Sequence, residues 1–378
     1  MSTSYIPEQT KRILWGKAAG RCQYQGCNKC LFQDKITKAE FNQAYIAHII
    51  ADKPGGPRGD IIRSELLKNK LSNLMLMCDE HHRLIDKVDI AGHPESLLLE
   101  MKRKQEERIR SITDISEVGK SHLLIYRANV GKNTPFLTYQ SLSPYLLKKK
   151  YYPADSKAID LSLSNSPQRD KNLSFWITEL ENLETQFNEQ IRHKLRQNKL
   201  AHFSIFAFAP IPLLIKLGTL INDIQRADIH QPIRKPATWN LAEIGKIMAY
   251  QVISPKRKFK QVALNLSLSA TINNDRITKV LGTDCSIYTV TIKQPFNDFL
   301  KCKQQLENFS KKIRLLFDTI KSNYNSKIPL HIFPAIPIAI AIEVGRIWMP
   351  KADMPLIIYD ENTSKGGFLK AVEINNIL

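Results

Sequence analysis

The feature that most constrains the fold is a gapless internal repeat in the second half of the chain. The segment HFSIFAFAPIPLLIKLGTLI at 202–221 aligns with PLHIFPAIPIAIAIEVGRIW at 329–348, at an offset of 127 residues. The identical positions include the pairs Phe206 and Phe333, Pro210 and Pro337, and Gly218 and Gly345. In each copy a short apolar run reaches a proline and continues as an apolar helix. The repeat therefore predicts the same strand-to-helix unit twice.

The surroundings of the two copies also match. A long amphipathic helix is expected before each copy, at about 171–199 and 297–323, and a strand is expected before each helix, at 160–164 and 286–292. A second apolar run follows each copy, ADIHQPI in the first and PLIIYDE in the second. This alternation predicts two β-α-β-α-β units, a duplicated Rossmann-like domain with largely parallel sheets. Chance similarity of the two segments is the alternative explanation.

The chain carries a net charge of +19, most of it within residues 116–378. Such an excess favours a polyanionic partner, although improved solubility alone would also account for it. The first residues, MSTSYIPEQTKR, contain no apolar leader, and the most apolar stretches are broken by prolines and charges. We therefore expect a cytoplasmic protein with no membrane segment.

The first quarter of the chain has a different pattern. A short helix is expected from Pro7 to Gly20, an irregular stretch with the turn signals PGGPRGD follows, and a charged helix spans 94–112. The segment ITDISEVGK at 112–120 is the expected linker. These signals predict one domain at 1–115 and a second at 116–378, with halves at about 150–250 and 260–378.

Cysteines and histidines concentrate in this first domain. Cys22-x4-Cys27 and Cys78-x2-His81 offer four ligands from two knuckles about 50 residues apart, a spacing typical of tetrahedral structural zinc. Cys30 is an alternative to Cys22, because Cys27-x2-Cys30 is also a permitted spacing. Unrelated buried thiols are the remaining interpretation.

If His81 binds zinc, its neighbour His82 is free for a second task. His48 ends an apolar run beside the glycine-rich loop, and Asn73 begins the strand that leads to Cys78. With "HI…GGPRG…NL…LC..HH..ID" in this order, the domain resembles the HNH endonucleases of the ββα-metal fold. The resemblance implies that His48 is the general base, that His82 binds a catalytic magnesium or manganese ion, and that Asn73 orients the base and its loop.

The resemblance has one departure, because Ala47 stands where many HNH sites have an acidic or histidine ligand. The remaining metal ligands would then come from Asp60, Asp86, water or substrate phosphate. A hydrogen-bonded core histidine is the alternative interpretation of His48. Imidazole is the side chain suited to deprotonating water near neutral pH, which favours the catalytic interpretation.

Ligands of parallel α/β units bind at the carboxyl ends of strands, where a loop begins a helix. In the two repeats these positions are Pro210 and Pro337. Other candidate contacts are basic residues for phosphate, aromatic residues for base stacking and the loop SKGGF: Lys256, Arg257, Lys258, Trp239, Tyr359, Lys365 and Gly366. Two related pockets would suit a ligand that contains two or more nucleotides.

The runs FSIFAFAPIPLLIKLG, TWN and IFPAIPIAIAIEVG resemble a SAVED domain, a fused pair of CARF-like units that binds cyclic oligonucleotides. The whole chain is similar to the HNH-SAVED effector nucleases of bacterial CBASS antiphage systems. The implied fold is a zinc-stapled α+β HNH domain followed by an α/β SAVED domain of two Rossmann-like halves.

The implied activity is non-specific cleavage of double-stranded DNA. It would be switched on by a cyclic di- or trinucleotide from a partner nucleotidyltransferase, with assembly into a homo-oligomer, from dimer to tetramer or higher. Two alternatives stay open: a modification-dependent HNH restriction endonuclease, and a catalytically dead DNA-binding sensor, which Ala47 motivates.

Overall fold

The computed structural model describes residues 5–114, 119–163, 166–197, 200–362 and 365–375. The chain divides into two compact units, Met1–Ser116 and Glu117–Leu378. Parts of the predicted linker 112–120, the predicted strand 160–164, the end of the predicted helix 171–199 and the first residue of SKGGF lie outside the described residues. Within those ranges no helix has both the length and the apolar character needed to cross a membrane.

The first unit is a small mixed domain. Its helices and strands are α1 (Glu8–Ala18), β1 (Tyr45–His48), α2 (Arg63–Leu67), β2 (Leu74–Met77), α3 (Asp79–Arg83) and α4 (Glu95–Thr113). Strands β1 and β2 are antiparallel, with Tyr45 opposite Met77 and His48 opposite Leu74. All four residues of β2 are buried, which explains its uninterrupted apolar run. Cys78 directly precedes α3, so the chain passes from the hairpin into a helix in ββα order.

Buried amide side chains connect the elements of this unit. The side-chain oxygen of Gln23 accepts from the Leu76 amide at 2.8 Å, and its nitrogen donates to Gln105 at 3.1 Å. Gln105 in turn donates to the carbonyl of Ala18 at 3.0 Å. Buried hydrogen bonds of this kind fix relative positions, because breaking them leaves desolvated polar groups without partners. The end of α1, β2 and α4 therefore hold the Cys22 segment against the hairpin.

The second unit alternates strands and helices. Its elements are β3 (Lys120–Arg127), α5 (Tyr139–Lys148), β4 (Tyr152–Pro153), β5 (Ile159–Asp160), α6 (Leu173–Phe187), α7 (His193–Arg196), β6 (Phe203–Phe208), α8 (Ile211–Ile221), β7 (Ala227–His230), β8 (Gln251–Ile253), β9 (Gln261–Ser267), α9 (Asn274–Leu281), β10 (Cys285–Thr291), α10 (Lys303–Asn323), β11 (Leu330–Ala335), α11 (Ile338–Ile347), β12 (Leu356–Asn362) and β13 (Gly367–Ile374).

These strands form two sheets. The first has the order β4-β3-β6-β7 with β5 beside β3, and every pairing is parallel. The second has the order β13-β12-β11-β9-β10-β8, in which β9 to β12 pair in parallel and the edge strands β8 and β13 are antiparallel. The predicted α/β architecture with largely parallel sheets is confirmed. Strands covered on both faces account for the almost continuous apolar runs.

The internal repeat is structural. Strand β6 begins at Phe203 and β11 at Leu330, and the helices that follow begin at Ile211 and Ile338, so both pairs keep the offset of 127 residues. Chance identities are therefore the wrong explanation. The register extends the match, because β6 pairs Phe203 with Ala227 while β11 pairs Leu330 with Leu356.

Helices α8 and α11 cross at their two glycines. A Cβ added at Gly218 would overlap the carbonyl oxygen of Ile342, and one added at Gly345 would overlap that of Ile215. Ile215 and Ile342 are themselves equivalent positions of the repeat. The two halves are thus related by a local pseudo-twofold axis through this crossing.

Three predicted elements differ from the structure. Strand β5 covers just Ile159–Asp160, because the Asp160 carboxylate accepts from the Ser162 amide and turns the chain. The predicted helix 171–199 begins at Leu173 and contains a π-helical segment, Asn188–Arg192. The helix predicted from 297 begins at Lys303, since Asp298 has φ of +67°, which no α-helix accommodates.

Candidate functional site

The two cysteine knuckles converge on one point in the first unit. One ligand atom from each of Cys22, Cys27, Cys78 and His81 lies within 4.8 Å of all the others. The Nδ1 atom of His81 is 3.0 Å from Cys78 Sγ and 3.9 Å from Cys22 Sγ. Tetrahedral zinc with its usual bond lengths places such atoms about 3.5 to 3.8 Å apart. The donor set and its spacing fit a structural zinc ion.

Cys30 lies outside this cluster. Its backbone forms an isolated antiparallel β-bridge with that of Arg21. The cluster therefore contains Cys22, and the alternative in which Cys30 replaces it is not what the structure shows. Burial raises the pKa of the Cys22 thiol to about 12 in the metal-free chain. Because zinc binds thiolates, metal binding here must release protons.

His48 is buried at the end of β1. Its Nε2 atom lies 2.9 Å from the carbonyl oxygen of Lys68. A carbonyl accepts hydrogen bonds and cannot donate, so Nε2 carries the proton and Nδ1 is the basic nitrogen of the neutral ring. The contact therefore fixes both the orientation and the tautomer of His48.

Asn73 holds the chain directly after β1. Its side-chain oxygen accepts from the Ile50 amide and its nitrogen donates to the Ile50 carbonyl, both at 2.8 Å. It also donates to the Leu67 carbonyl at 3.3 Å. Asn73 thus joins the loop after His48 to the segment that supplies the carbonyl for the His48 ring.

His82 is half-buried on α3. Its ring stacks on Tyr45 with centroids 5.0 Å apart, and its Nε2 atom lies 3.3 Å from a carboxylate oxygen of Asp86. Burial lowers the pKa of His82, and the carboxylates of Asp86 and Asp79 oppose that shift. The pair offers one imidazole, a ligand typical of transition-metal ions, and one carboxylate, a ligand typical of magnesium and manganese.

Arg58 of the loop GGPRGD is a site residue that the sequence analysis did not single out. Its guanidinium donates to the Ile49 carbonyl at 2.6 Å, to the Ile85 carbonyl at 2.7 Å and to Asp86 at 2.7 Å, and it lies 3.4 Å from the His48 carbonyl. One side chain therefore ties the end of the His48 strand to the helical segment of His82 and Asp86. An arginine within a glycine-rich loop beside the histidine was the available signal.

The two candidate acids differ in availability. Asp60 accepts from the amides of Ile62 and Arg63, and these bonds lower its pKa, so its carboxylate is used at the start of α2. Asp86 keeps one oxygen toward His82. Ala47 is buried in β1 and contributes no ligand. The described residues contain no cluster of three or more histidine, cysteine or acidic ligands other than Cys22, Cys27, Cys78 and His81.

In the second unit a cavity of about 490 Å³ lies where the two halves meet. It is lined by the carboxyl ends of β6, β7, β9, β11 and β12 with the segments that follow them, and its lining includes Phe208, Gln231, Arg234, Ser269, Arg276, Asn297, Asp298, Pro337, Asp360, Glu361 and Phe368. Both sheets therefore present the strand end at which α/β proteins bind ligands.

Charged groups of both signs line this cavity. Arg276 pairs with Glu361 at 2.6 Å and lies 4.7 Å above the Phe368 ring, while Asp298 pairs with Lys301 at 2.5 Å. Asp360 is different, because burial and the nearby carboxylate of Asp170 raise its pKa to about 7. A neutral carboxyl at this position can donate a hydrogen bond as well as accept one.

Gln231 and Asp360 occupy equivalent positions of the repeat, one residue beyond β7 and near the end of β12. The Gln231 side chain accepts from the Ala339 amide at 2.9 Å, at the start of α11. The residue equivalent to Ala339 in α8 is Pro212, which has no amide hydrogen. The two sides of the cavity therefore differ: the hydrogen bond between Gln231 and Ala339 has no counterpart in which the Pro212 nitrogen donates to Asp360.

Of the residues predicted to contact a ligand, Pro337 lies at the cavity and the others do not line it. Pro337 lines the cavity, whereas Pro210 is buried before α8 and its neighbours Phe208 and Ile211 line the cavity instead. Tyr359 does not line it. The Tyr359 ring stacks on Phe333 at 4.4 Å, as His230 stacks on Phe206 at 4.0 Å in the first half, so the structure shows internal packing for this ring.

Trp239 also packs internally, edge-on to Phe206 with centroids 5.6 Å apart. Lys256, Arg257 and Lys258 precede β9 and thus lie at the amino end of that strand. Since β9 spans seven residues at about 3.3 Å each, these cations are about 20 Å from the cavity edge of the sheet. Lys258 instead lies over the Tyr324 ring.

Lys365 and Gly366 belong to the turn between β12 and β13, outside the lining of the cavity. Gly366 has φ of +80°, so the glycine serves the turn. Ligands of parallel α/β units bind at the carboxyl ends of strands. Applied to the last residues of ADIHQPI and PLIIYDE, this rule would have indicated Gln231 and Asp360 in place of these basic residues.

Residues 183–374 match the SAVED family, described as the SMODS-associated and fused to various effectors sensor domain. Among solved structures, the chain is similar to the Acinetobacter baumannii Cap4 SAVED/CARF-domain containing receptor with the cyclic trinucleotide 2'3'3'-cAAA, at a TM-score of 0.45 and 12% identity over 74% of this chain and 59% of that chain. The corresponding Moraxella osloensis Cap4 receptor gives a TM-score of 0.42 and 12% identity, over 74% and 58%. The chain thus spans less than two thirds of the length of these structures. No curated protein matches it.

Proposed function

Because the chain belongs to the SAVED family of sensor domains, we propose that its second unit binds a cyclic oligonucleotide and that this binding activates a metal-dependent nuclease formed by the first unit. The ligand would be a cyclic di- or trinucleotide supplied by a partner nucleotidyltransferase. The substrate would be double-stranded DNA, and the ligand-bound chains would assemble into a homo-oligomer. The cavity between the two halves is the observation that carries this proposal.

The lining of the cavity suits a nucleotide ligand. Arg234 is exposed at its edge, and Arg276 can exchange its exposed partner Glu361 for a phosphate, since such ion pairs contribute little. Phe208 and Phe368 provide apolar surface for bases, and Gln231 provides polar atoms. The neutral form of Asp360 reduces the repulsion that a phosphate would meet.

The first unit has the parts of a hydrolytic site. His48 is held with Nδ1 as its basic nitrogen, so it can take a proton from water. Asn73 and Arg58 keep the His48 strand in place, and His82 with Asp86 would hold the catalytic cation. A divalent cation bound there would stabilise the negative charge that develops on the scissile phosphate. Cys22, Cys27, Cys78 and His81 would hold a structural zinc ion.

Cleavage by such a site would depend little on DNA sequence, because phosphate contacts supply affinity without reading bases. The net charge of +19 suits such a substrate. An activity of this kind has to be inactive until the ligand binds. A near-complete switch requires an affinity difference of about 5.5 kcal/mol between the two states.

The test is plasmid cleavage by the full chain with magnesium, with and without a panel of cyclic di- and trinucleotides. The proposal expects intact plasmid without ligand and degradation with at least one ligand, on methylated and unmethylated DNA alike. Cleavage that requires modified DNA and ignores every ligand would favour the restriction endonuclease. DNA binding without nicking under all ligands would favour the inactive sensor that Ala47 suggests.

A further inference from the structure

A second cavity, of about 350 Å³, lies at the carboxyl end of β3. Its walls include Arg127 and Asn129 from the strand end, Phe136 from the following loop, Ser166 from the segment before α6, and Glu179 from α6 itself. Asn129 donates to the carbonyls of Ser166 and Gln168 at 2.9 and 2.8 Å, which joins the two loops around the cavity.

Glu179 is the unusual residue of this cavity. It is 1% exposed, and its Oε2 atom has no hydrogen-bond partner in the described part of the chain. The hydroxyl of the neighbouring Tyr126 also lacks one there. Burial raises the pKa of Glu179 to about 7, so a large share of the molecules carry the neutral acid near neutral pH. A neutral carboxyl presents one donor and one acceptor side by side, and a buried polar group without a partner is unfavourable.

The mouth of the cavity has a different character. The Phe136 side chain is 82% exposed, which is uncommon for an aromatic ring that lines a pocket. Arg127 also lines the cavity, and its guanidinium is 3.5 Å from Asp160. An exposed ring above a buried donor and acceptor is an arrangement that can stack a nucleobase and bond its edge.

The second cavity adjoins the first along the carboxyl ends of the neighbouring strands β3 and β6. Strand β3 pairs with β6 so that Arg127 is opposite Phe208, which lines the first cavity, and neighbouring strands are about 4.8 Å apart. Asp170 provides a second link, because it accepts from the Gly131 amide at 2.7 Å and its charge raises the pKa of Asp360 in the first cavity. A ligand of more than one nucleotide can therefore reach both.

We propose that the second cavity is a nucleobase subsite, in which the buried carboxyl of Glu179 bonds the base edge while Phe136 stacks on the base. This inference rests on the proposed function, since it places one base of the cyclic oligonucleotide there. Edges with adjacent donor and acceptor groups, such as N6 and N7 of adenine, match a neutral carboxyl as they match a glutamine amide.

The test is calorimetric titration of the full chain with cyclic di- and trinucleotides that differ in base. Glu179→Gln retains a donor and an acceptor, so its affinity should stay within about threefold of the wild type. Glu179→Leu has neither and should bind at least tenfold more weakly. Phe136→Ala should lose about 5- to 150-fold, the effect of about 1 to 3 kcal/mol per stacked base. The exposed Glu181 on the same helix provides the control Glu181→Gln, which should bind as the wild type does.

The outcomes separate this inference from the proposed function. If the wild type binds a ligand and both Glu179→Leu and Phe136→Ala bind it equally well, the subsite is overturned while the sensor function stands. If Glu179→Gln loses as much as Glu179→Leu, the neutral acid is overturned. If the wild type binds no ligand, the sensor function fails first. Because Phe136 is exposed, its alanine variant tests the subsite even if Glu179→Leu does not fold.

Discussion

Gly218 and Gly345 lie against each other where α8 and α11 cross, and the two glycines are equivalent positions of the internal repeat. A Cβ added at Gly345 would lie 2.9 Å from the Cα of Gly218 and would also overlap the Ile215 carbonyl. The contact is between two backbones, so no side-chain movement can relieve it. A larger residue at either glycine would therefore clash with the backbone of the other helix.

Gly345→Ala should therefore destabilise the second unit by about 3 kcal/mol or more, because overpacking a rigid contact costs about 1 to 3 kcal/mol even where side chains can adjust. Urea unfolding followed by circular dichroism measures the change. Gly16→Ala in α1 is the control, since an added Cβ there meets nothing within 4 Å. It should be neutral or stabilising by about 0.5 to 1 kcal/mol. Equal effects of the two variants would contradict the close crossing.

Loss of one zinc ligand should unfold the first unit selectively. Cys27→Ser should reduce bound zinc from about one ion per chain to near zero, since structural zinc contributes a large part of the folding free energy of small domains. Metal analysis of the purified protein and limited proteolysis measure both effects. Cys30→Ser is the matched control, because Cys30 is a half-buried thiol of the same segment outside the cluster. Zinc retained in Cys27→Ser would overturn the assignment.

His48→Ala should lower ligand-activated DNA cleavage by about 100- to 10,000-fold, the usual contribution of a general base. The first unit should stay folded and keep its zinc, and binding of the cyclic oligonucleotide should not change. Single-turnover cleavage rates measure the loss. His193→Ala, on α7 of the second unit, should cleave as the wild type does. Full activity of His48→Ala would identify His48 as a core residue only.

Arg58→Lys should impair the first unit although the charge is retained. The buried guanidinium bonds two carbonyls and Asp86, and an ammonium group cannot reproduce that planar fork. We expect a loss of about 3 kcal/mol in the stability of the unit together with reduced cleavage. Arg83→Lys is the control, because Arg83 forms an exposed ion pair with Asp79 and should change stability by less than about 0.5 kcal/mol. A stable and active Arg58→Lys would show that the charge alone suffices.

Stability of the second unit should depend on the protonation of Glu179. Its carboxyl has an ordinary pKa of 4.5 in the unfolded chain and a raised pKa of about 7 in the folded unit. The unfolded chain therefore loses this proton first as pH rises, and stability falls between about pH 4.5 and pH 7, by roughly 3 kcal/mol at 1.36 kcal/mol per pKa unit. Glu179→Gln removes this contribution. Urea unfolding of both proteins at pH 5 and pH 8 should show a smaller decrease for the variant, whereas identical decreases would argue against a neutral buried acid.

Sequence patterns predicted those parts of the fold that depend on local periodicity. The repeat gave the starts of β6, α8, β11 and α11 at one constant offset, because buried parallel strands and the helices after them leave long apolar runs. The start of α10 was missed because it depends on the left-handed backbone of Asp298, which composition does not reveal.

Predictions of side-chain roles were less uniform for a physical reason. Ligand spacing brought Cys22, Cys27, Cys78 and His81 together, since short knuckles restrict geometry. Tyr359 was predicted to stack on a ligand and its ring stacks on Phe333 of the neighbouring strand, because an aromatic residue in a strand can serve either contact. Arg58 and Glu179 were missed because their roles depend on partners distant in sequence, or on the lack of one among the described residues.

The unequal pair Gln231 and Asp360 has a consequence for any ring-shaped molecule that contacts both sides of the first cavity. On one side the amide oxygen of Gln231 accepts from Ala339, whereas on the other side burial and the carboxylate of Asp170 raise the pKa of Asp360 to about 7. If a ring is rotated by one nucleotide, a base that faced Gln231 would face Asp360, which is a different chemical environment. Under the proposed function, the cavity would distinguish the order of bases around a ring, and a mixed-base ring would have one preferred orientation.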